Sequence, residues 1–344
     1  MYKRQLNTVI NGNAYDPYYS YKSPIDLYDI HQFTNGQPFE AYADLRKNSP
    51  IYFQNPPDWD IEPGAWMLTS YKDIMEVSSN PKIFSSQAAT GNLITLGNPE
   101  TRHPKLWQTS IDHMLNLDGS FHLDLRREHM PFFKPGYVDD LHKKVEIKVK
   151  DLLDAISKVG KSNLVKDLSQ QIPIFTLSEV LGIPEEDRHK LATWMEFLEL
   201  AQYLSAENLK QQTGNQEDME VDPSMIELFE NMVNEMFDYG KYILQEKRNN
   251  PQNDLLSAIA NAELGGAKLS QEYLDGSWLL IIFAGNDTTR NSISGAIKLL
   301  TEFPEQKKKL LKNIDLLPNF AQETIRMVSP VIHMRRTTTC ETTL

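Results

Sequence analysis

The sequence predicts a mainly α protein, one large helical domain with a small sheet laid down early in the chain. Three observations lead there. From residue 121 to about residue 329, apolar side chains recur at spacings of three and four, the repeat of helices with one buried face. Strand-like stretches are confined to residues 51–69 and to the Thr-rich end. With 40% of 344 residues hydrophobic, the chain can bury a large core.

Residues 1–37, rich in Tyr, Asn, Asp and Pro without periodicity, read as an irregular arm, and residues 38–344 as the domain. Pro38 to Lys47 reads as a short helix. Ile51-Tyr52-Phe53 and Ala65 to Thr69 read as strands parted by the breaker Asn55-Pro56-Pro57-Asp58. A helix over Tyr71–Ser79 stops at Asn80-Pro81, and residues 85–118 read as a long functional loop. Helices then follow at Phe121–Phe133, Val138–Ser157 and Leu164–Leu181, with Gly182 and Pro184 as stop and restart. Another should run from Glu185 to about Ser205, before a polar, acidic loop from Gly214 to Asp222. Ser224–Lys247 is long and amphipathic, and Asp254–Ala262 short. Ser270 caps a helix expected to reach Phe303, about 50 Å at 1.5 Å per residue. Pro304 and Pro318 open two more, and the end from Val331 is a strand that returns to the early sheet.

Charge and composition exclude several classes. A net charge of −12 would repel nucleic-acid phosphates. The start lacks the apolar run of an export signal, and the longest apolar stretch, Trp278–Ala284, is far short of the ~20 residues that span a bilayer. These features give the expectation of a cytoplasmic protein with no membrane anchor. The single cysteine, Cys340, permits no internal disulfide and no Cys-rich metal site.

Ala284-Gly285-Asn286-Asp287-Thr288-Thr289 is a local conflict, because poor helix formers interrupt the most hydrophobic helix. Gly285 removes a side chain and lets a flat ligand approach the backbone. Thr288 can bond back along the helix and bend it. Asp287 beside it completes an acid–alcohol pair suited to moving protons. The plainer alternative is a close helix–helix contact with Asp and Thr in solvent. The string resembles the oxygen-activating motif on the long central helix of cytochromes P-450. Its continuation through Arg290-Asn291-Ser292-Ile293-Ser294-Gly295 resembles the soluble bacterial alkane ω-hydroxylase branch. The resemblance implies that Ala284 and Gly285 lie against haem, that Thr288 hydrogen-bonds bound dioxygen and that Asp287 links it to solvent.

Three further matches follow in the order of that family. Glu323 and Arg326, three apart on one helix face, match its structural Glu-x-x-Arg pair, though such pairs are commonly surface salt bridges worth under about 1 kcal/mol. His122 and Arg126, four apart, match a His-x-x-x-Arg pair that holds haem propionates; the plain reading is a solvated basic face. Where the family has Pro-Pro before this helix, the chain has Gly119-Ser120, which predicts a looser start. Arg336, six residues after Pro330, resembles the third propionate ligand; a basic edge strand is the alternative.

The resemblance thus implies the cytochrome P-450 fold, a helical bundle around a long central helix with a small β-sheet, here lacking its C-terminal haem-loop part. Cys340 has no glycine-rich context, so the axial cysteine is expected beyond Leu344 and no metal ligand within the sequence. The implied activity is haem-b-dependent monooxygenation of an unactivated C–H bond. The substrate would be a hydrophobic small molecule together with dioxygen, first a medium-chain alkane or fatty acid attacked at its terminal carbon. A terpenoid or steroid is the second choice. Electrons would come from a ferredoxin and its ferredoxin reductase. A rival of another class is a helical ligand-binding protein that has lost haem and catalysis.

Overall fold

In the computed structural model, residues 5–6, 25–26, 30–33, 36–54, 65–87, 104–198 and 223–344 are described. The chain is mainly helical, as its periodicity predicts. The first helix, α1 (Phe39–Asn48), leads into a hairpin of β2 (Ile51–Gln54) and β3 (Ala65–Leu68), following β1 (Gln5–Leu6). Helix α2 (Tyr71–Ser78) is capped by Ser70, whose hydroxyl accepts from the Asp73 amide. After β4 (Phe84–Ser85) come α3 (Pro104–Ile111), α4 (Gly119–His129), α5 (Pro135–Val159) and α6 (Gln171–Leu181). Residues 188–198 form α7, followed by α8 (Pro223–Asn249) and α9 (Leu255–Asn261). A hairpin of β5 (Glu263–Leu264) and β6 (Ala267–Lys268) precedes α10 (Gln271–Ala284), α11 (Asp287–Glu302), α12 (Pro304–Lys312) and α13 (Leu317–Val328). The chain closes with β7 (Thr337–Thr338) and β8 (Thr342–Thr343).

Four expectations are corrected. The 85–118 segment is not all loop: Pro104 opens α3, which packs against α10. The helix expected from Ser270 to Phe303 is two helices, parted at Gly285 and Asn286. Ser270 stands at the cap position, but its side chain makes no capping bond and turns to the Glu272 carboxylate instead. The strands do not merge into one small sheet: among the described residues they form four two-stranded antiparallel ribbons. The end does return, with Ser85 opposite Thr337 and Gln5 opposite Thr343. The hairpin at Gly265-Gly266 went unforeseen, although two adjacent glycines, both with positive φ here, are the residues such a two-residue turn requires. Most of the arm over residues 1–37 and the whole loop Gly214–Asp222 lie outside the described residues.

The core gathers where α8, α10 and α7 meet. Trp194, Tyr239 and Trp278 pack in tilted and edge-on contacts at ring separations of 5.2–6.1 Å, and Trp278 donates its indole N–H to the Met236 carbonyl at 2.9 Å. Gly240 permits this approach, since a Cβ there would stand 2.5 Å from the Trp278 ring. Burying such rings contributes a few kcal/mol each. Helix α10 is anchored here by seven buried residues. By contrast, neither α5 nor α11 buries a single residue completely, although α11 packs on α13, α12, α6 and the turn Val165–Ser169. The body is therefore densest at the α10 end of the broken helix and open along its α11 half.

Candidate functional site

The site begins at the break. The backbone ladder of α10 closes with the Gly285 N–H on the Ile281 carbonyl at 3.0 Å, and that of α11 opens with Arg290 on Asn286 at 2.9 Å. A Cβ on Gly285 would meet Leu177 of α6 at 2.8 Å and the Ile281 carbonyl at 2.9 Å. The missing side chain therefore makes room for Leu177 of the neighbouring helix α6. Thr288 follows the expectation, its hydroxyl donating to the Ala284 carbonyl at 3.3 Å across the break. Asp287 is held within its own helix: Oδ1 accepts from Arg290 at 2.6 Å and from Asn291 at 2.9 Å, while its side chain stays 44% exposed. Phe283 and Ala284, the last residues of α10, are exposed and present apolar surface beside the pair.

Of the three expected donors, His122 and Arg126 lie on α4, and Arg336 lies near Asp118, the residue before it. His122 donates from Nδ1 to the Met114 carbonyl at 2.9 Å, which leaves Nε2 for a ligand. Arg126, one turn on, is exposed, and its side chain has no hydrogen bond or ion pair among the described residues. Arg336 directly precedes β7, which pairs with β4, and it lies within electrostatic reach of Asp118. Ser85 on β4 lies opposite Thr337 and donates to Asp118 at 2.6 Å, and Ser86 donates its N–H to the same carboxylate at 3.0 Å. Asp118 is thereby drawn away from capping α4, in line with the looser start read from Gly119-Ser120. Burial pulls the Arg336 guanidinium below its ordinary value, and the Asp118 charge opposes that shift. Sequence reading missed Asp118 as the organiser. Its signal was an Asp directly before a helix start.

Glu323 and Arg326 form a two-pronged ion pair at 2.7 Å on the exposed side of α13. Each holds the other charged, so the carboxyl sits below and the guanidinium above its usual range. Cys340 is exposed between β7 and β8.

A family model for cytochrome P450 matches residues 82–344. This chain belongs to the cytochrome P450 family. It is 28% identical over 313 residues to linalool 8-monooxygenase of Pseudomonas putida, covering 91% of this chain and 72% of that protein. It is 29% identical over 309 residues to a methyl-branched lipid omega-hydroxylase of Mycobacterium tuberculosis, covering 87% of this chain and 66% of that one. Among solved structures, a Mycobacterium marinum cytochrome P450 in complex with pseudoionone superposes with a TM-score of 0.74 at 28% identity, over 93% of this chain and 75% of that one. This cytochrome P450 is accordingly a monooxygenase by family, an oxidoreductase, with the fold its sequence predicts.

The family implies haem, and the residues present suit its periphery. Arg126 and Arg336 offer cations to two carboxylates, with His122 Nε2 beside Arg126 on the same helix face. Phe283 and Ala284 offer an apolar contact. No described helix is long and apolar enough to cross a membrane.

Proposed function

We propose that this cytochrome P450 hydroxylates an unactivated C–H bond of a hydrophobic substrate, with Asp287 and Thr288 delivering protons. The observation that carries this reading is the acid–alcohol pair at the break between α10 and α11, beside the exposed Phe283 and Ala284. His122, Arg126 and Arg336 would hold the haem propionates, and the axial thiolate is assigned to a residue other than Cys340. Bound haem supplies the activation of dioxygen that no side chain can perform. Thr288 needs only to release its long bond to Ala284 to offer its hydroxyl to a ligand on the apolar side. Asp287, half in solvent, can collect a proton and pass it inward, its carboxylate kept in register by Arg290 and Asn291. Phe283 and Ala284 would keep bulk water from the reacting side.

For the substrate, the terminal carbon of a medium-chain alkane or fatty acid is the first reading, supported by the Gly285–Gly295 string and by the omega-hydroxylase among the relatives. A terpenoid is the second, favoured by the similarity to linalool 8-monooxygenase. A ferredoxin and its reductase would supply electrons in the cytoplasm. The test is made in the haem-loaded enzyme. Asp287→Asn should slow turnover by about 10²–10⁴-fold with substrate affinity nearly unchanged. Thr288→Ala should still consume reductant but return it mainly as hydrogen peroxide. Full yield of hydroxylated product per reductant in Thr288→Ala, or a loss confined to affinity, would refute the role.

A further inference from the structure

We propose that Asn286 binds an internal water molecule in the break between α10 and α11, and that this makes it a positioning residue for Asp287 and Thr288. Asn286 is 1% exposed, yet neither its Nδ2 nor its Oδ1 has a hydrogen-bond partner among the described residues. A carboxamide is costly to bury in that state, and native interiors satisfy such groups by protein or by enclosed water. The residue occupies the cap position of α11, with φ −108° and ψ −60°, but its side chain makes no capping bond. Helix capping therefore does not account for an asparagine here. A side chain chosen only to fill the space would be apolar.

The two orphan atoms specify the ligand. Nδ2 needs an acceptor and Oδ1 needs a donor at the same place. A cation would serve Oδ1 alone and an anion Nδ2 alone, whereas water is donor and acceptor together. No group of three or more His, Cys, Asp or Glu among the described residues could hold a metal ion there. The surroundings close the site: Leu177 fills the space beside Gly285, and α11 packs on α6 and on the turn Val165–Ser169. The Asn286 carbonyl meanwhile accepts the first rung of α11, from Arg290. Arg290 in turn donates to Asp287. A water fixed on the Asn286 side chain thus sets the turn from which α11, and with it the acid–alcohol pair, starts. The positioning role rests on the proton-delivery reading; the water site stands without it.

The experiment combines a high-resolution crystal structure of the chain with backbone amide hydrogen exchange, for the native protein, Asn286→Leu and Asn286→Ser. Leucine keeps the size and removes both polar atoms, while serine restores a donor and an acceptor. The expected result is a density peak within hydrogen-bond distance of both Nδ2 and Oδ1 in the native protein, kept in the serine variant and absent from the leucine variant. Exchange at the Arg290 amide should rise about tenfold in Asn286→Leu and return to within about twofold of native in Asn286→Ser. An Asn286 side chain found bonded to a protein group, with no peak, overturns the site. A peak with Arg290 exchange unmoved by Asn286→Leu overturns the positioning role. Neither readout involves turnover, so a fully coupled Thr288→Ala enzyme would defeat the proton-delivery reading while leaving the water site standing.

Discussion

Lys247 and Asp254 meet Nζ to Oδ2 with side chains only 6% and 5% exposed, joining the end of α8 to the start of α9. The ammonium also donates to the Gly182 carbonyl at 2.9 Å and to Gln252 at 3.1 Å, so all three of its protons are placed. Gly182 has φ +67°, and a Cβ there would fall 2.2 Å from the Asp254 carboxylate. This explains the glycine on two counts.

Breaking that pair should be expensive. Lys247→Met strands a buried carboxylate and should cost about 3–5 kcal/mol in urea unfolding. Adding Asp254→Asn should recover a good part, because the neutral amide keeps the acceptor that caps α9 through the Ser257 N–H. A single substitution costing under about 1 kcal/mol would show that the buried charges are not coupled in this way.

The Leu177–Gly285 contact predicts a compensating pair. Gly285→Ala should overpack the α6 interface and cost about 1–3 kcal/mol. Combined with Leu177→Ala, it should cost less than the sum of the two single changes. Strict additivity would mean that the glycine serves something other than α6.

Acid should unfold the protein partly through two buried histidines. Burial lowers His113 and His129 from 6.5 to about 4 each, so both rings stay neutral in the fold. Once unfolded they protonate near 6.5, and the unfolded chain binds more protons between about 4 and 6.5. The stability they contribute is complete above 6.5 and is lost as pH falls toward about 4. Each should add roughly 1.4 kcal/mol per pH unit to the slope inside that window. Unfolding free energies at several pH values for the native protein and His129→Gln check this, since the variant should have the shallower slope.

Cys340 should not ligate haem. It is exposed between two short strands and lacks the glycine-rich loop context in which a haem-ligating thiolate is held. Haem added to this chain, reduced and exposed to carbon monoxide, should give no thiolate-type band, and Cys340→Ser should leave the spectrum unchanged. A thiolate band abolished by the serine would assign the ligand to Cys340.

Much of this was legible in the sequence because it is local. The 3.6-residue repeat of α8 and the proline starts of α12 and α13 each depend on a few neighbouring residues. So does the weak helix propensity at Gly285-Asn286-Asp287, which marked the break, although the reading there was a bend within one helix. What stayed hidden depends on partners far along the chain. Leu177 lies more than a hundred residues from Gly285, and nothing near the glycine names it. Likewise, Asp118 looks like an ordinary helix cap until Ser85 and Ser86 claim its carboxylate.

The ribbon of β4 with β7 sets an order of events during synthesis. Ser85 faces Thr337, so roughly 250 residues must leave the ribosome before that rung can form. At 5–20 residues per second this is about 10–50 s. Helices such as α4, α8 and α10 can form from local contacts well before then, which places His122 and Arg126 early. Arg336 joins them only when the ribbon closes. A nascent chain thus holds two of its three candidate haem-edge donors for much of its synthesis, and anything that binds through all three must wait for the last strands to arrive.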